Sequence, residues 1–319
     1  LTADTAGVPF TVTVSEASGS GTITPAATIV NAGPADWSTA DNWSSGTLPV
    51  NGSDVIIEGT INPILYGLDQ GAVTLTSLTV ASSFTGAIGL PRDNPSGYTE
   101  YRTRFLTIGA TTQNINTGGG LTRIDNSSIA TTLNVYGATN TTENFTPALC
   151  WKGTHASNVV NVNGGDVGVA FFGGEVATIA TLNTFAGSAV QCGKGTTLTT
   201  VKNNGGSLAI NSNSVTVTQT GGTTAIEFAA TTTTLNVDSG TCLLDSSGTV
   251  ATANIGNGGT LDASRSGLAK TITNTNIYAG GIIHDPYSKI TWTNGIVLVR
   301  CSPVDVTLDI GTQMTLTKS

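Results

Sequence analysis

Charge is scarce in this chain. Its 319 residues include 12 Lys and Arg and 20 Asp and Glu, only 10% of the total, against a usual quarter. The net charge of -8 leaves no basic stripe to neutralise phosphates, which excludes nucleic acid as a partner. Histidine is nearly missing, and the four cysteines, Cys150, Cys192, Cys242 and Cys301, lie 42, 50 and 59 residues apart without a CxxC pair. His155 and His284 have neither a neighbouring cysteine nor an HxxxH partner, so no metal site and no metal cofactor is expected, and the thiols read as buried and free. No apolar run approaches the roughly 18 to 20 residues of a membrane span. Residues 1 to 20 lack the zones of a signal peptide, and a start at Leu1 implies a processed product or a fragment.

Good helix formers are also few, whereas the chain holds 40 Gly, 57 Thr and 25 Asn. Threonine and valine favour strands, and glycine and asparagine punctuate them. Low charge with a positive mean hydropathy does not fit disorder. The arrangement is a repeat. Segments close to the form T-x-N-[VI] followed by a glycine turn recur as TLNVYGA (132 to 138), VVNVNGG (159 to 165), TLNTFAG (181 to 187), TLNVDSG (234 to 240) and TANIGNGG (252 to 259). Taking the turn glycines as Gly165, Gly187, Gly206, Gly222, Gly240, Gly259 and Gly281, the steps are 22, 19, 16, 18, 19 and 22 residues. A period near 20 is the mark of a solenoid.

After each turn two residues of a second strand share one face: Val167 and Val169, Leu208 and Ile210, Thr224 and Ile226, Cys242 and Leu244, Leu261 and Ala263. Stacked from coil to coil they build an internal ladder, with asparagines able to bond to one another between coils. The predicted fold is all-β, a single-stranded parallel β-helix (β-solenoid), right-handed by the rule for parallel crossovers, with an N-terminal β cap. Residues 1–33 end a preceding β-module or act as linker. Residues 34–130 form the cap and first irregular coils with a loop inserted at 90–105, and 131–319 the regular coils and C-terminal cap. Coils longer than the minimum are expected to loop out.

The cap is expected from Trp37, Trp43, Pro49 and Asp54. The motif W-x5-W-S-x-G-x-x-P that begins at Trp37 resembles that of bacterial extracellular and autotransporter-like β-helix proteins. The stretch from 33 to about 315, including YGLDQGAVTLTSLTV (66 to 80), WKGTHASNVVNV (151 to 162) and TWTNGIVLVR (291 to 300), is similar to a group of uncharacterised planctomycete, prophage-associated proteins. The opening residues, 1 to 15, look like the closing strands of a β-module. The resemblance implies the fold and brings no catalytic residues with it.

Parallel β-helices also carry polysaccharide lyases and glycosidases, so carboxylates on adjacent coils need weighing. Glu227 and Asp245 fall five residues past successive turn glycines, a spacing suited to a retaining glycosidase pair. Asn211 and Ser264 occupy the same offset on flanking coils, so supporting charges are not expected. The pair reads as a solvated strand end and no catalytic residue is assigned; catalysis by Glu227 and Asp245 is the minority alternative. Asp238 and Asp262 read as turn residues, as do His284 and Asp285 before Pro286. The tryptophans suit sugar stacking as well as a buried cap. Tyr98 and Tyr101 with Arg92, Arg102 and Arg104 form the one basic, aromatic block and the expected interface. TVTQT (216 to 220) and TITNT (271 to 275) suggest an ice-binding threonine array, but the offsets do not repeat on every coil.

Together these features point to a structural protein of a phage virion or bacterial surface, acting by rigid assembly and surface contact. Its partners would be other protein subunits and, as an option, a cell-surface glycan. The alternative is a polysaccharide-degrading enzyme on the same fold.

Overall fold

Alternation of apolar and hydroxyl side chains writes itself directly into the strands. In residues 132–135 and in Val159–Val162 every second residue is buried, and the 15-residue strand Thr196–Ile210 alternates in the same way apart from slips at Thr199-Thr200 and Asn204-Gly205. The computed structural model describes residues 33–90, 104–139, 146–311 and 316–318. It is nearly all β, a parallel solenoid of about 11 turns with essentially no helix. Among the described residues, helical geometry is confined to the short 3-10 turns Ala40–Asn42 and Pro303–Asp305.

Successive coils pair in parallel register. One ladder begins at Asp54–Ile57, runs through Asp69–Val80 and Leu106–Thr117 into Thr132–Ala138, and continues without a break across residue 131. At its far end Ile296–Leu298 pairs with Leu316–Lys318. A second ladder takes the strand after each turn. Val167, Val190, Leu208, Thr224, Cys242, Leu261 and Ile283 lie opposite one another on consecutive coils. All seven are buried, so the alternating pairs expected from the sequence do form the internal stack. Each buried aliphatic chain in such a column contributes about 1.5–3 kcal/mol. The four cysteines are buried, and burial pushes the Cys192 and Cys242 thiols up to about 12.

The expected asparagine ladder is present on the outer side of the middle strands. Asn134 donates to Asn114 (3.1 Å), Asn161 to Asn134 (2.9 Å) and Asn183 to Asn161 (2.8 Å). After a break it resumes with Asn254 to Asn236 (2.8 Å) and Asn276 to Asn254 (2.9 Å). The interior is not wholly apolar. The Trp151 indole N–H donates to Gln113 Oε1 at 3.0 Å, and Gln113 Nε2 donates to Asn126 Oδ1 at 2.6 Å, so both buried amides are satisfied.

The turns correct one detail of the sequence reading. At Gly165, Gly187, Gly222 and Gly240 the assigned glycine does adopt positive φ, but at Gly205-Gly206, Gly258-Gly259 and Gly280-Gly281 it is the first of the pair that does so. The second glycine is required for closeness instead. A Cβ on Gly259 would lie 2.1 Å from the Val237 carbonyl oxygen, and one on Gly206 would lie 2.3 Å from Ser188 Oγ.

Before the first strand, Trp37 is 2% exposed and meets Trp43 edge-on at 4.7 Å between ring centres. The Trp43 indole N–H donates to the Trp37 carbonyl at 2.9 Å. Pro49 precedes the first strand, and Asp54 opens it, accepting the Ser77 hydroxyl at 2.5 Å. No helix among the described residues is long and apolar enough to cross a membrane.

Candidate functional site

Glu227 and Asp245 follow the paired residues Ile226 and Leu244 at the end of the second ladder. Their backbone N–H groups donate to Ile210 O (3.0 Å) and Ile226 O (2.9 Å), which seats the two carboxylates on successive coils at one corner. The structure therefore brings this pair together. The Glu227 carboxyl is pushed above the usual range, first by burial and then by the Asp245 charge, with Arg265 opposing.

Two parts of the sequence reading need correction. Supporting charge is present: Arg265 Nη2 lies 3.1 Å from Asp245 Oδ2. Nor is this a solvated strand end, since the Asp245 side chain is only 14% exposed and its Oδ1, like Asn211 Oδ1, is buried without a hydrogen-bond partner. Arg265 was missed because it stands off the strand register, on the segment between Ala263 and Lys270 that the coil loops out. The coil from Gly259 to Gly281 is one of the longest, and its extra residues fold Arg265 back over the neighbouring coil. Lys270 was missed as well. It is 2% exposed, burial lowers its pKa while Asp285 and Asp245 act to raise it, and its ammonium donates to Ser266 O at 3.4 Å.

The Arg265 side chain is 56% exposed, so solvent screens its pair with Asp245 and Arg265→Ala is expected to change stability by about 1 kcal/mol. Its electrostatic effect is more telling. In a carbon-detected NMR titration, Asp245→Asn is expected to lower the Glu227 pKa and Arg265→Ala to raise it. A Glu227 midpoint indifferent to both changes would show that the three groups are not neighbours.

The other candidates separate. Asp262 ends the strand Thr260–Asp262 at the border of a turn, its carboxylate accepting the Ser264 N–H at 2.8 Å. His284 is not in a turn: it ends the strand Ile282–His284 and its Nδ1 lies 2.8 Å from Asp309 Oδ2. Asp285 is fully buried, because its two oxygens accept the N–H groups of Lys289 (2.8 Å) and Ile290 (2.9 Å). Asp285 also opens the turn, its carbonyl accepting the Ser288 N–H at 3.0 Å.

Of the basic, aromatic block, Arg92, Tyr98, Tyr101 and Arg102 lie outside the described residues. Arg104 is described and sits against the Phe172 ring at 5.4 Å; buried Arg123 sits 5.5 Å from the same ring. Both guanidiniums act on Glu175, so Arg104 belongs to a packed cluster on the solenoid flank. A cleft of about 380 Å³ opens at the cap beside Trp37, Trp43, Asn42, Glu58 and Asn62. There Trp37 is buried and the Trp43 N–H is already engaged, so the pair closes the core. Among the described residues no three His, Cys, Asp or Glu side chains gather as metal ligands.

Compared with known proteins, the chain matches no family model, no curated protein and no solved structure.

Proposed function

We propose that this protein is a structural β-solenoid of a phage virion or bacterial surface, a rigid element that acts by assembly and contact. The observation that carries this reading is the unbroken ladder from Asp54 to the strand Leu316–Lys318, reinforced on its outside by asparagine bonds from coil to coil. Each coil is bonded to the coils before and after it, so bending or local opening must break several backbone bonds at once. A rod of this kind suits holding a fixed separation or presenting a surface. Resemblance to prophage-associated and autotransporter-like β-helix proteins supports the same reading. The test is recovery. The protein is expected at stoichiometric copy number in purified particles or in the cell-surface fraction, and recovery solely as a diffusible monomer would overturn it.

The Glu227, Asp245 and Arg265 corner favours one second reading, a polysaccharide-degrading enzyme in which Glu227, with its raised pKa, serves as acid and ion-paired Asp245 as its partner. Release of reducing ends or unsaturated products from host polysaccharide, abolished by Glu227→Gln, would establish that reading in place of the structural one.

A further inference from the structure

The outer side of the middle strands carries an array that the coil register alone reveals. One column runs from Thr112 to Asn274 and is threonine on seven of its nine rungs. Two residues further along each strand a second column runs from Asn114 to Asn276 and is asparagine on seven of nine. The TVTQT segment enters the first column through Thr216, whereas TITNT places Asn274 there. The two columns stand roughly 7 Å apart and repeat every ~4.8 Å along the axis, over about 38 Å.

The threonine hydroxyls of the first column face outward from half-buried positions, free of hydrogen bonds to protein. Each laddered asparagine spends one N–H on its neighbour and keeps the other, with an oxygen lone pair, toward solvent. Beside these columns, two residues beyond the asparagine, stands a third row whose members include exposed rings: Tyr136 (57%), Phe185 (38%) and Tyr278 (40%). Backbone bonds from Asn163 to Val135 and from Phe185 to Val162 place Tyr136 and Phe185 two rungs apart on the same edge, a distance of roughly 10 Å.

We propose that this face binds an extended, uncharged β-1,4-linked polysaccharide whose chain runs along the solenoid axis. A pyranose residue in such a chain advances by close to one strand spacing, so every ring meets an equivalent hydroxyl and amide. Alternate rings present the same apolar face, matching the two-rung interval between Tyr136 and Phe185. Aromatic rings beside hydrogen-bonding groups suit a partner that is apolar on its ring faces and polar at its edges. The face carries Lys202 in the asparagine column and Asp238 in the outer row, opposite charges that favour a neutral chain. A second copy fits less well. In a two-fold antiparallel face-to-face pair the central-rung Lys202 would oppose its own counterpart. Ordered water fits less well too, since Lys202 and the projecting rings interrupt the hydroxyl array.

This inference rests on the surface-contact reading above, but the two fail separately: particle association can hold while glycan binding is absent. The test is affinity electrophoresis of the purified chain in gels containing hydroxyethylcellulose, with dextran gels as the α-linked control, together with pull-down on insoluble cellulose and chitin. Retardation in the β-1,4-glucan gel and retention on the insoluble glycans are expected, with none in dextran. Tyr136→Ala/Phe185→Ala is expected to weaken binding at least about tenfold. Thr181→Val/Thr200→Val, which keeps branched strand residues while removing two hydroxyls, should weaken it by a smaller factor. Phe228→Ala/Tyr287→Ala, at exposed rings away from the face, should leave it unchanged. The proposal is overturned by absence of binding to hydroxyethylcellulose, cellulose and chitin, by binding that survives both face variants, or by equal loss in the control. Inhibition of ice recrystallisation without glycan retention would overturn it in favour of ordered water.

Discussion

Asn203→Ala is expected to destabilise the solenoid by about 3–5 kcal/mol, although asparagine carries almost no apolar surface. Asn203 has no solvent exposure. Its Oδ1 accepts the N–H groups of Gly206 (2.9 Å) and Gly205 (3.2 Å) and the hydroxyl of Thr184 (3.0 Å). Its Nδ2 donates to Thr223 O and to Thr224 Oγ1, each at 3.0 Å. Truncation leaves the buried Gly206 N–H and Thr184 hydroxyl without this partner, at about 1–3 kcal/mol each, together with the part-buried Gly205 N–H and Thr223 carbonyl, whose loss water recovers in part. The comparison is Asn183→Ala, which removes a link of the outer ladder and should cost about 0.5–1.5 kcal/mol because solvent replaces the lost bond. Urea unfolding followed by circular dichroism measures both. Hydrogen exchange should place the Asn203→Ala loss in the strands Ala177–Thr184, Thr196–Ile210 and Ser214–Ile226, since a coil contacts only its neighbours. Equal cost for the two substitutions would show that the interior position of Asn203 does not matter.

The same asparagine marks where sequence reasoning stops. KNNGG (202 to 206) reads as a turn with two interchangeable asparagines, yet Asn203 points in and Asn204 points out, where it accepts the Thr220 hydroxyl at 2.9 Å. Strand parity decides between them, and a register shift between Asn203 and Asn204 blurs that parity. The inward pairs after each turn were legible because two-residue alternation from a glycine is a local rule that needs no partner. The threonine column was hidden by a different effect. Counted from the glycine of positive φ, the column residue stands six places earlier at Thr181 and Gly187, Thr216 and Gly222, Thr234 and Gly240, and Thr252 and Gly258. Counting from Gly259, the second glycine of its pair, shifts that coil by one, and a one-residue slip sends every side chain to the opposite face.

The corner at Glu227 and Asp245 shows the complementary limit. Both carboxylates sit at a fixed offset from a turn, so their proximity follows from the repeat. Arg265 and Lys270 come from an excursion out of the repeat, and nothing in their spacing says which coil the excursion folds against. A periodic sequence specifies what stacks; its interruptions specify what reaches across, and those are read only from the folded chain.

Two alanine substitutions at glycines separate the two reasons for which this chain uses that residue. Gly240 has φ +78°, and a Cβ there would lie 2.5 Å from the Gly222 carbonyl oxygen of the preceding coil. Gly258 has φ +85° but open space around the same position. Left-handed backbone costs a residue with a Cβ about 1–2 kcal/mol, so Gly258→Ala should destabilise by that amount alone. Gly240→Ala adds a clash with backbone that cannot rotate away, and relieving it must widen the gap between coils at the turn leading into Thr241–Leu244. A total of about 3–5 kcal/mol is expected. Urea midpoints give the comparison, and exchange of the Thr241–Leu244 and Thr223–Ile226 amides should quicken in Gly240→Ala while staying near wild type in Gly258→Ala. Closely similar costs would mean that φ alone dictates glycine at these turns and that the coils have room to part, which would also weaken the case for a rigid rod.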